Sequence, residues 1–116
     1  MTSKDFLKAA LVAVSATVMV AGCAKKEDPA PVKVTYAKDI KAVLVASCAP
    51  CHVAGGTNPN KWDDYTTAKN KIATILDRVQ RMPGQTGFMP RNGTAQLPAA
   101  TIALLKQWQT DGLLEN

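Results

Sequence analysis

Cys48-Ala49-Pro50-Cys51-His52 is the stretch on which the reading of this chain turns. It sets two thiols three positions apart with an imidazole directly after the second, and His52 is the sole histidine of the 116 residues. Upstream, Tyr36 to Cys48 places Ile40, Val43 and Leu44 at helical spacing with Lys38, Asp39 and Lys41 on the other side, which predicts an amphipathic helix leading into the motif. Thr35 is its expected N-cap, and Pro50 stops regular helix at about the motif. Downstream, residues 53–61 (VAGGTNPNK) read as loop, because Gly55-Gly56 and Asn58-Pro59 both break regular structure. A short helical turn is expected over Trp62 to Tyr65, then a longer helix from about Lys69 to Gln80 that presents Ile72, Ile75, Leu76 and Val79. Residues 82–98 hold Pro83, Gly84, Gly87, Pro90, Gly93 and Pro98 and leave no room for regular structure. A last helix from about Ala99 to Thr110 is apolar at Ile102, Leu105 and Trp108, with Leu104 flanking, and Gly112 stops it. No segment alternates as a strand would, so the fold class expected is all-α. Three or four helices strung on two long loops make a thin core unless something large fills the centre.

The N-terminus narrows the compartment. Lys4 and Lys8 precede an uncharged run from Ala9 to Ala21 in which only Ser15 and Thr17 are not apolar. As a helix this run covers about 20 Å, short of a hydrocarbon slab of roughly 30 Å, so it reads as a signal peptide and not a spanning helix. Its end, Val20-Ala21-Gly22-Cys23, resembles the lipobox of bacterial lipoproteins, in which the cysteine is lipidated and becomes the first mature residue. The expected organisation is therefore a removed signal peptide at 1–22, a lipidated flexible tether at 23–33 beginning with Cys23, and one folded domain at 34–116. The lipid chains hold the protein at a membrane outside the cytoplasm. Residue 24 is Ala, not the Asp that would resemble an inner-membrane retention signal, which favours the outer membrane, facing the periplasm or the outside.

Composition removes most function classes. The chain carries 14 Lys or Arg against 9 Asp or Glu, a net +5. The charges are interspersed, so basicity alone points to no nucleic-acid partner. A catalytic triad, a His-rich zinc site or a multi-histidine relay must each compete for His52, and no enzymatic activity is expected. The motif itself is CxxCH, which reads as a c-type haem attachment site. Two thiols at this spacing add across the two vinyl groups of one porphyrin, and the adjacent histidine supplies the proximal nitrogen to the iron. Export to a compartment where haem is attached covalently, and a core that needs a filler, strengthen that reading. A thioredoxin-type redox pair, a plain Cys48–Cys51 disulfide, and a zinc or copper site are the alternatives. The first lacks a strand before the first cysteine, the second leaves His52 unexplained, and the third lacks an evident fourth Cys or His ligand.

From about residue 34 to 114 the chain resembles small monohaem class I cytochromes c, of the compact kind found as bacterial lipoproteins or as modules of larger redox proteins. The likeness rests on the helix leading into Cys48-Ala49-Pro50-Cys51-His52, the Gly87-Phe88-Met89-Pro90 run, Leu97, and the close at Ile102, Leu105, Trp108 and Gly112. It implies three to four helices wrapped around one covalent haem c and its iron, with the first and last helices packed across each other through Ile40 and Leu44 against Leu105 and Trp108. Two departures stand out. Leu97-Pro98 occupies a place where relatives have a polar cap, which a first helical turn tolerates. Tyr36 replaces a more usual phenylalanine, a swap expected to be harmless.

The resemblance also implies the second axial ligand. With Met1 and Met19 in the signal segment, Met82 and Met89 remain, and both precede proline. Met89 matches the family spacing to Leu97 and Trp108, so it is the expected sulfur ligand opposite His52; Met82 is read as hydrophobic filler. A His/Met pair raises the potential above that of a His/His pair. Pro50 stiffens the attachment loop or simply ends the helix. Trp62, Tyr65 and Arg78 are candidate partners of the haem propionates, and Arg78, Arg81 and Arg91 could steer an acidic partner. The function expected is single-electron transfer by a monomer between redox proteins, such as a quinol-oxidising complex and a terminal oxidase or reductase. The alternatives are a haem c subunit dedicated to one redox enzyme, and a haem-based sensor or gas binder with a weak sixth ligand.

Overall fold

The computed structural model describes residues 28–116; the expected signal peptide and the lipidation of Cys23 fall outside that range. Residues 28–33 have no regular structure and are exposed, and Val34 is the first half-buried residue. From Pro31 onward the chain forms one compact unit. Its regular structure is all-α: α1 (Lys41–Cys48), α2 (Tyr65–Val79) and α3 (Ala99–Thr110), with a π-helical turn at Tyr36–Ile40 running straight into α1. Among the described residues no helix is long and apolar enough to cross a membrane.

The helix expected over Tyr36 to Cys48 thus has the expected ends but a wider first turn. The Tyr36 and Ala37 amides, which a helix opening here leaves without intrahelical partners, donate to the Leu114 and Glu115 carbonyls at 2.8 and 2.9 Å, which ties the opening turn to the C-terminal segment. Thr35 precedes this turn, but its side chain accepts no capping hydrogen bond. Asp39 Oδ2 accepts from the Thr35 amide instead, at 2.8 Å. At the other end, Ala49 precedes a proline and is extended, at φ −70° and ψ 156°, which stops the helix one residue into the motif.

α2 begins four residues earlier than expected, at Tyr65, and Trp62 to Asp64 form a turn in front of it. Asp64 is the N-cap: its backbone is extended and its Oδ2 accepts from the Thr67 amide at 3.4 Å. The 3.6-residue apolar stripe holds over the whole helix, which buries Ala68, Ile72, Ile75, Leu76 and Val79. Residues 81–98 carry no regular structure, as their prolines and glycines require.

α3 runs over the predicted residues and closes with a Schellman turn. The Leu113 amide donates to Trp108 O at 2.9 Å and the Gly112 amide to Gln109 O at 3.3 Å. Gly112 sits at φ 98°, where a side chain would be strained, so this glycine is what lets the chain turn back. The returning segment forms a hub. Leu114 O accepts from the Tyr36 amide and from Trp108 Nε1 at 2.8 and 2.9 Å, and Leu113 O accepts from the Tyr65 hydroxyl at 2.9 Å. Tyr36, Tyr65 and Trp108 meet beneath it with ring centroids 5.5 to 6.5 Å apart.

The N- and C-terminal helical segments contact each other, as expected. The four most completely buried large side chains are Ile40, Leu44, Leu105 and Trp108, two from each end of the chain, in a single core that α2 joins through its buried stripe. Joining the two ends in this way leaves the segments after α1 and after α2 on the outside, and these carry the residues of interest.

Candidate functional site

Pro50 releases the chain from α1, and the following residues fold back on the motif. The His52 amide donates to Cys48 O at 3.1 Å, the Asn58 amide to Cys51 O at 3.1 Å, and the Trp62 amide to His52 O at 2.7 Å. Lys61 Nζ donates to Gly56 O at 2.7 Å, and Asp63 Oδ2 accepts from the Ala54 amide at 2.9 Å. Gly56 lies directly against the motif, and a Cβ there would run into the Pro50 and Cys51 carbonyl oxygens. The loop is therefore packed on the motif through its backbone.

His52 is half-buried, and its Nδ1 lies 3.0 Å from the Asn60 carbonyl oxygen. A carbonyl only accepts, so Nδ1 carries the proton in the neutral ring and Nε2 is left with its lone pair. This is how a metal-binding imidazole is oriented: one nitrogen donates to a carbonyl and the other is the more basic for it. The imidazole also stacks on the Trp62 indole, with centroids 4.7 Å apart and planes 12° from parallel. The Trp62 carbonyl accepts in turn from the buried Tyr36 hydroxyl at 2.7 Å. Burial, helped by Asp63, Asp64 and Glu115, pushes the Tyr36 hydroxyl up to about 12, so it remains a donor throughout the neutral range.

The two motif cysteines are free thiols, Cys48 half-buried and Cys51 exposed. Cys48 is the last residue of α1, at the negative end of the helix dipole, and burial pushes its thiol up to about 11. A thiol–disulfide nucleophile has the opposite setting, a lowered pKa at a helix N-terminus. Among the described residues no three His, Cys, Asp or Glu side chains come together to hold a metal ion, which leaves a zinc or copper site without its ligand set. A haem would make no such demand, since only His52 of this motif would reach the iron while each sulfur would bond to a carbon at the porphyrin edge. Two free thiols and one half-buried imidazole are the donor types such a group would use.

On the second loop the two methionines differ. Met82 is 58% exposed, whereas Met89 is half-buried beside the buried Phe88. The Met89 amide donates to Arg78 O, at the C-terminal end of α2, at 3.2 Å. Gly87, at φ 81°, has the Arg78 guanidinium packed against it where a Cβ would project. Arg81 donates to Thr86 O and to Asp77 Oδ2, holding the turn ahead of Phe88. A cleft of about 220 Å³ lies there, lined by Arg78, Phe88, Met89 and Arg91 among others.

The residues expected near haem propionates also make contacts within the protein. The Trp62 ring is committed to His52 and the Tyr65 hydroxyl to Leu113, while Arg78 lies beside the methionine loop with Asp77 Oδ2 3.8 Å from its Nε. Sequence reasoning missed three features here. The Tyr36 hydroxyl bonds to the Trp62 carbonyl beside the loop, a contact that a phenylalanine at this position would lack. The other two are the Asn60 carbonyl on Nδ1 and the Trp62 stack. The last two depend on how a nine-residue loop closes, and no local pattern announces that. Comparison of the chain with family models, with curated proteins and with solved structures gives no match.

Proposed function

We propose that this protein is a lipid-anchored c-type cytochrome that transfers single electrons between redox proteins of the cell envelope. The observation that carries the reading is His52. It follows a CxxC pair, and its Nδ1 is committed to the Asn60 carbonyl, which leaves Nε2 as a preset ligand. Cys48 and Cys51 would hold haem c through thioether bonds, and His52 and Met89 would ligate its iron. The bound haem supplies a one-electron couple at its iron. The chain's task is to keep the ligands where they are when the iron changes charge. The packed loop at 53–61 serves that for His52, and the bond from the Met89 amide to Arg78 serves it for the methionine loop. The half-burial of Met89 and the exposure of Met82 favour Met89 as the ligand.

The cytochrome c-like wrapping of three helices about the haem belongs to the same proposal. So do the removal of residues 1–22, the acylation of Cys23, the tether at 23–33, placement at the outer membrane, a monomeric state and the absence of catalysis. The setting of Cys48 speaks against a thiol–disulfide role, since its thiol stays protonated at neutral pH. The decisive experiment is intact-mass analysis of membrane-derived protein after acid-acetone extraction, with visible spectra in both redox states. Haem retained on the polypeptide and a ferric sulfur-to-iron band in the far red are the expected results. A haem-free mass with a reducible disulfide would return the protein to the thioredoxin reading. A covalent haem that binds carbon monoxide freely and shows no such band would favour the sensor.

A further inference from the structure

A hydrogen bond from Nδ1 fixes one axis of an imidazole, but the ring can still swing about that axis. In this chain His52 is held at a second point. Its ring lies nearly parallel to the Trp62 indole, 12° apart at a centroid distance of 4.7 Å. A flat stack of this kind removes the remaining rotation. The backbone that carries the indole is anchored on both sides: the Trp62 amide donates to His52 O at 2.7 Å, and the Trp62 carbonyl accepts from the Tyr36 hydroxyl at 2.7 Å. Trp62 is buried, and Tyr36 belongs to the core formed with Ile40, Leu44 and Trp108, so the stack is braced against that core.

We propose that Trp62 is a positioning residue that sets the plane of the His52 ring, with Asn60 O setting its axis and the Tyr36 hydroxyl holding the Trp62 backbone in place. The proposal rests on the reading of His52 as an iron ligand. The plane of an axial imidazole decides how its π orbitals meet those of the iron. In a ferric low-spin centre that plane direction is visible in the electron paramagnetic resonance g-values and in the spread of the haem methyl proton shifts. A residue that merely fills space would leave both unchanged.

The test compares Trp62→Phe, which keeps a flat face, with Trp62→Met, which keeps bulk without a plane. Each variant is expressed as the full chain with haem attachment, and covalent haem is verified by intact mass before any comparison. Trp62→Met should displace the ferric g-values and the methyl shift pattern from wild type, and Trp62→Phe should restore most of both. The far-red methionine band should persist in each. Wild-type g-values in Trp62→Met, with only a lower melting temperature, would overturn the proposal while leaving the cytochrome reading intact. Absence of covalent haem from wild type would overturn that reading and this one with it. If Trp62→Met yields too little haem protein, Tyr36→Phe takes its place, because it releases the Trp62 carbonyl without touching the indole. A smaller displacement in the same signals supports the proposal there, and an unchanged spectrum overturns it.

Discussion

The two loops that carry the candidate ligands are built differently. Around His52 the chain is held by its own backbone: three carbonyls of the attachment motif accept from amides of residues 52–62, and the imidazole is fixed by a carbonyl and an aromatic face. Around Met89 the chain is held from outside, by Arg78 and Arg81 of the α2 end, and most of residues 81–98 is exposed. The first arrangement has several backbone bonds on the motif and the buried Trp62 at its base. The second has one backbone bond to α2, from the Met89 amide to Arg78 O, and otherwise leans on long, partly exposed side chains that are easily redirected. If the two loops hold a haem as proposed, its His52 side is the more firmly held and its Met89 side the more adjustable. Changes on the first side should decide whether the protein assembles, and changes on the second which ligand state it adopts.

The strongest blow to the fixed side should come from Gly56→Ala, because the new Cβ meets the backbone oxygens of Pro50 and Cys51 and no side-chain rotation relieves that. A loss on the order of 3 kcal/mol is expected, together with most of the covalently loaded protein, read by denaturant titration and intact mass. Gly55→Ala is the control. Its Cβ meets nothing within 4 Å, and the cost should be only about 1 kcal/mol for a φ of 79°. Equal losses from the two substitutions would mean that close packing on the motif is not what holds this loop.

On the adjustable side, Met89→Ala should abolish the far-red band, lower the potential and admit cyanide or carbon monoxide, yet leave haem attached through Cys48 and Cys51. Met82→Ala should change stability by less than about 0.5 kcal/mol, since its side chain is 58% exposed. If the band survives loss of Met89 and disappears with Met82, the two methionines have been assigned the wrong way round.

Tyr36→Phe probes the brace between the core and the His52 loop. Loss of the bond to Trp62 O should cost about 1 kcal/mol at neutral pH. The same substitution should flatten an alkaline transition. The Tyr36 hydroxyl rises from 10.0 to about 12 on folding, so its contribution is fully present below pH 10 and is lost as the pH climbs through 12, where the unfolded chain binds fewer protons. Equilibrium unfolding of wild type and variant between pH 9 and 12 should show the wild type losing on the order of 2 kcal/mol more than the variant.

Asp77→Asn is the mildest change. Its carboxylate pairs with Arg81 at 2.7 Å and with Arg78 at 3.8 Å, all of them partly exposed, so the stability change should stay below about 0.5 kcal/mol. If the distal side is adjustable, the same variant should nonetheless speed replacement of the methionine by imidazole in stopped-flow experiments. An unchanged replacement rate would mean that the arginines do not hold the loop.

Much of this was legible along the chain, and for identifiable reasons. Ile40, Leu44, Leu105 and Trp108 were readable as apolar positions from their 3.6-residue spacing, whereas their meeting between the first and last helices was implied only by the resemblance to small cytochromes c. The end of α1 was readable from Pro50, and the irregular stretch before α3 from its prolines and glycines. The start of α2 was not. Asp64 and Thr67 make a capping pair, but the turn residues just before them masked four further helical positions. The π-helical opening at Tyr36 was not readable either: no local pattern marks it, and the partners of its first amides lie at the far end of the chain.

The amino-acid sequence by itself determined which residues could do chemistry here: two thiols and one imidazole in a spacing set by covalent bonds, and two methionines within reach of a single loop. Such patterns are local, and they survive without any knowledge of the fold. The tertiary structure alone decided how those residues are presented. It gave Nδ1 of His52 its carbonyl, laid the Trp62 ring against the imidazole, and turned the Tyr36 hydroxyl into a brace between the core and the loop. Each of these contacts joins residues separated by a loop or a helix. Their geometry depends on how the intervening chain closes, and that is settled by the packing of the whole domain.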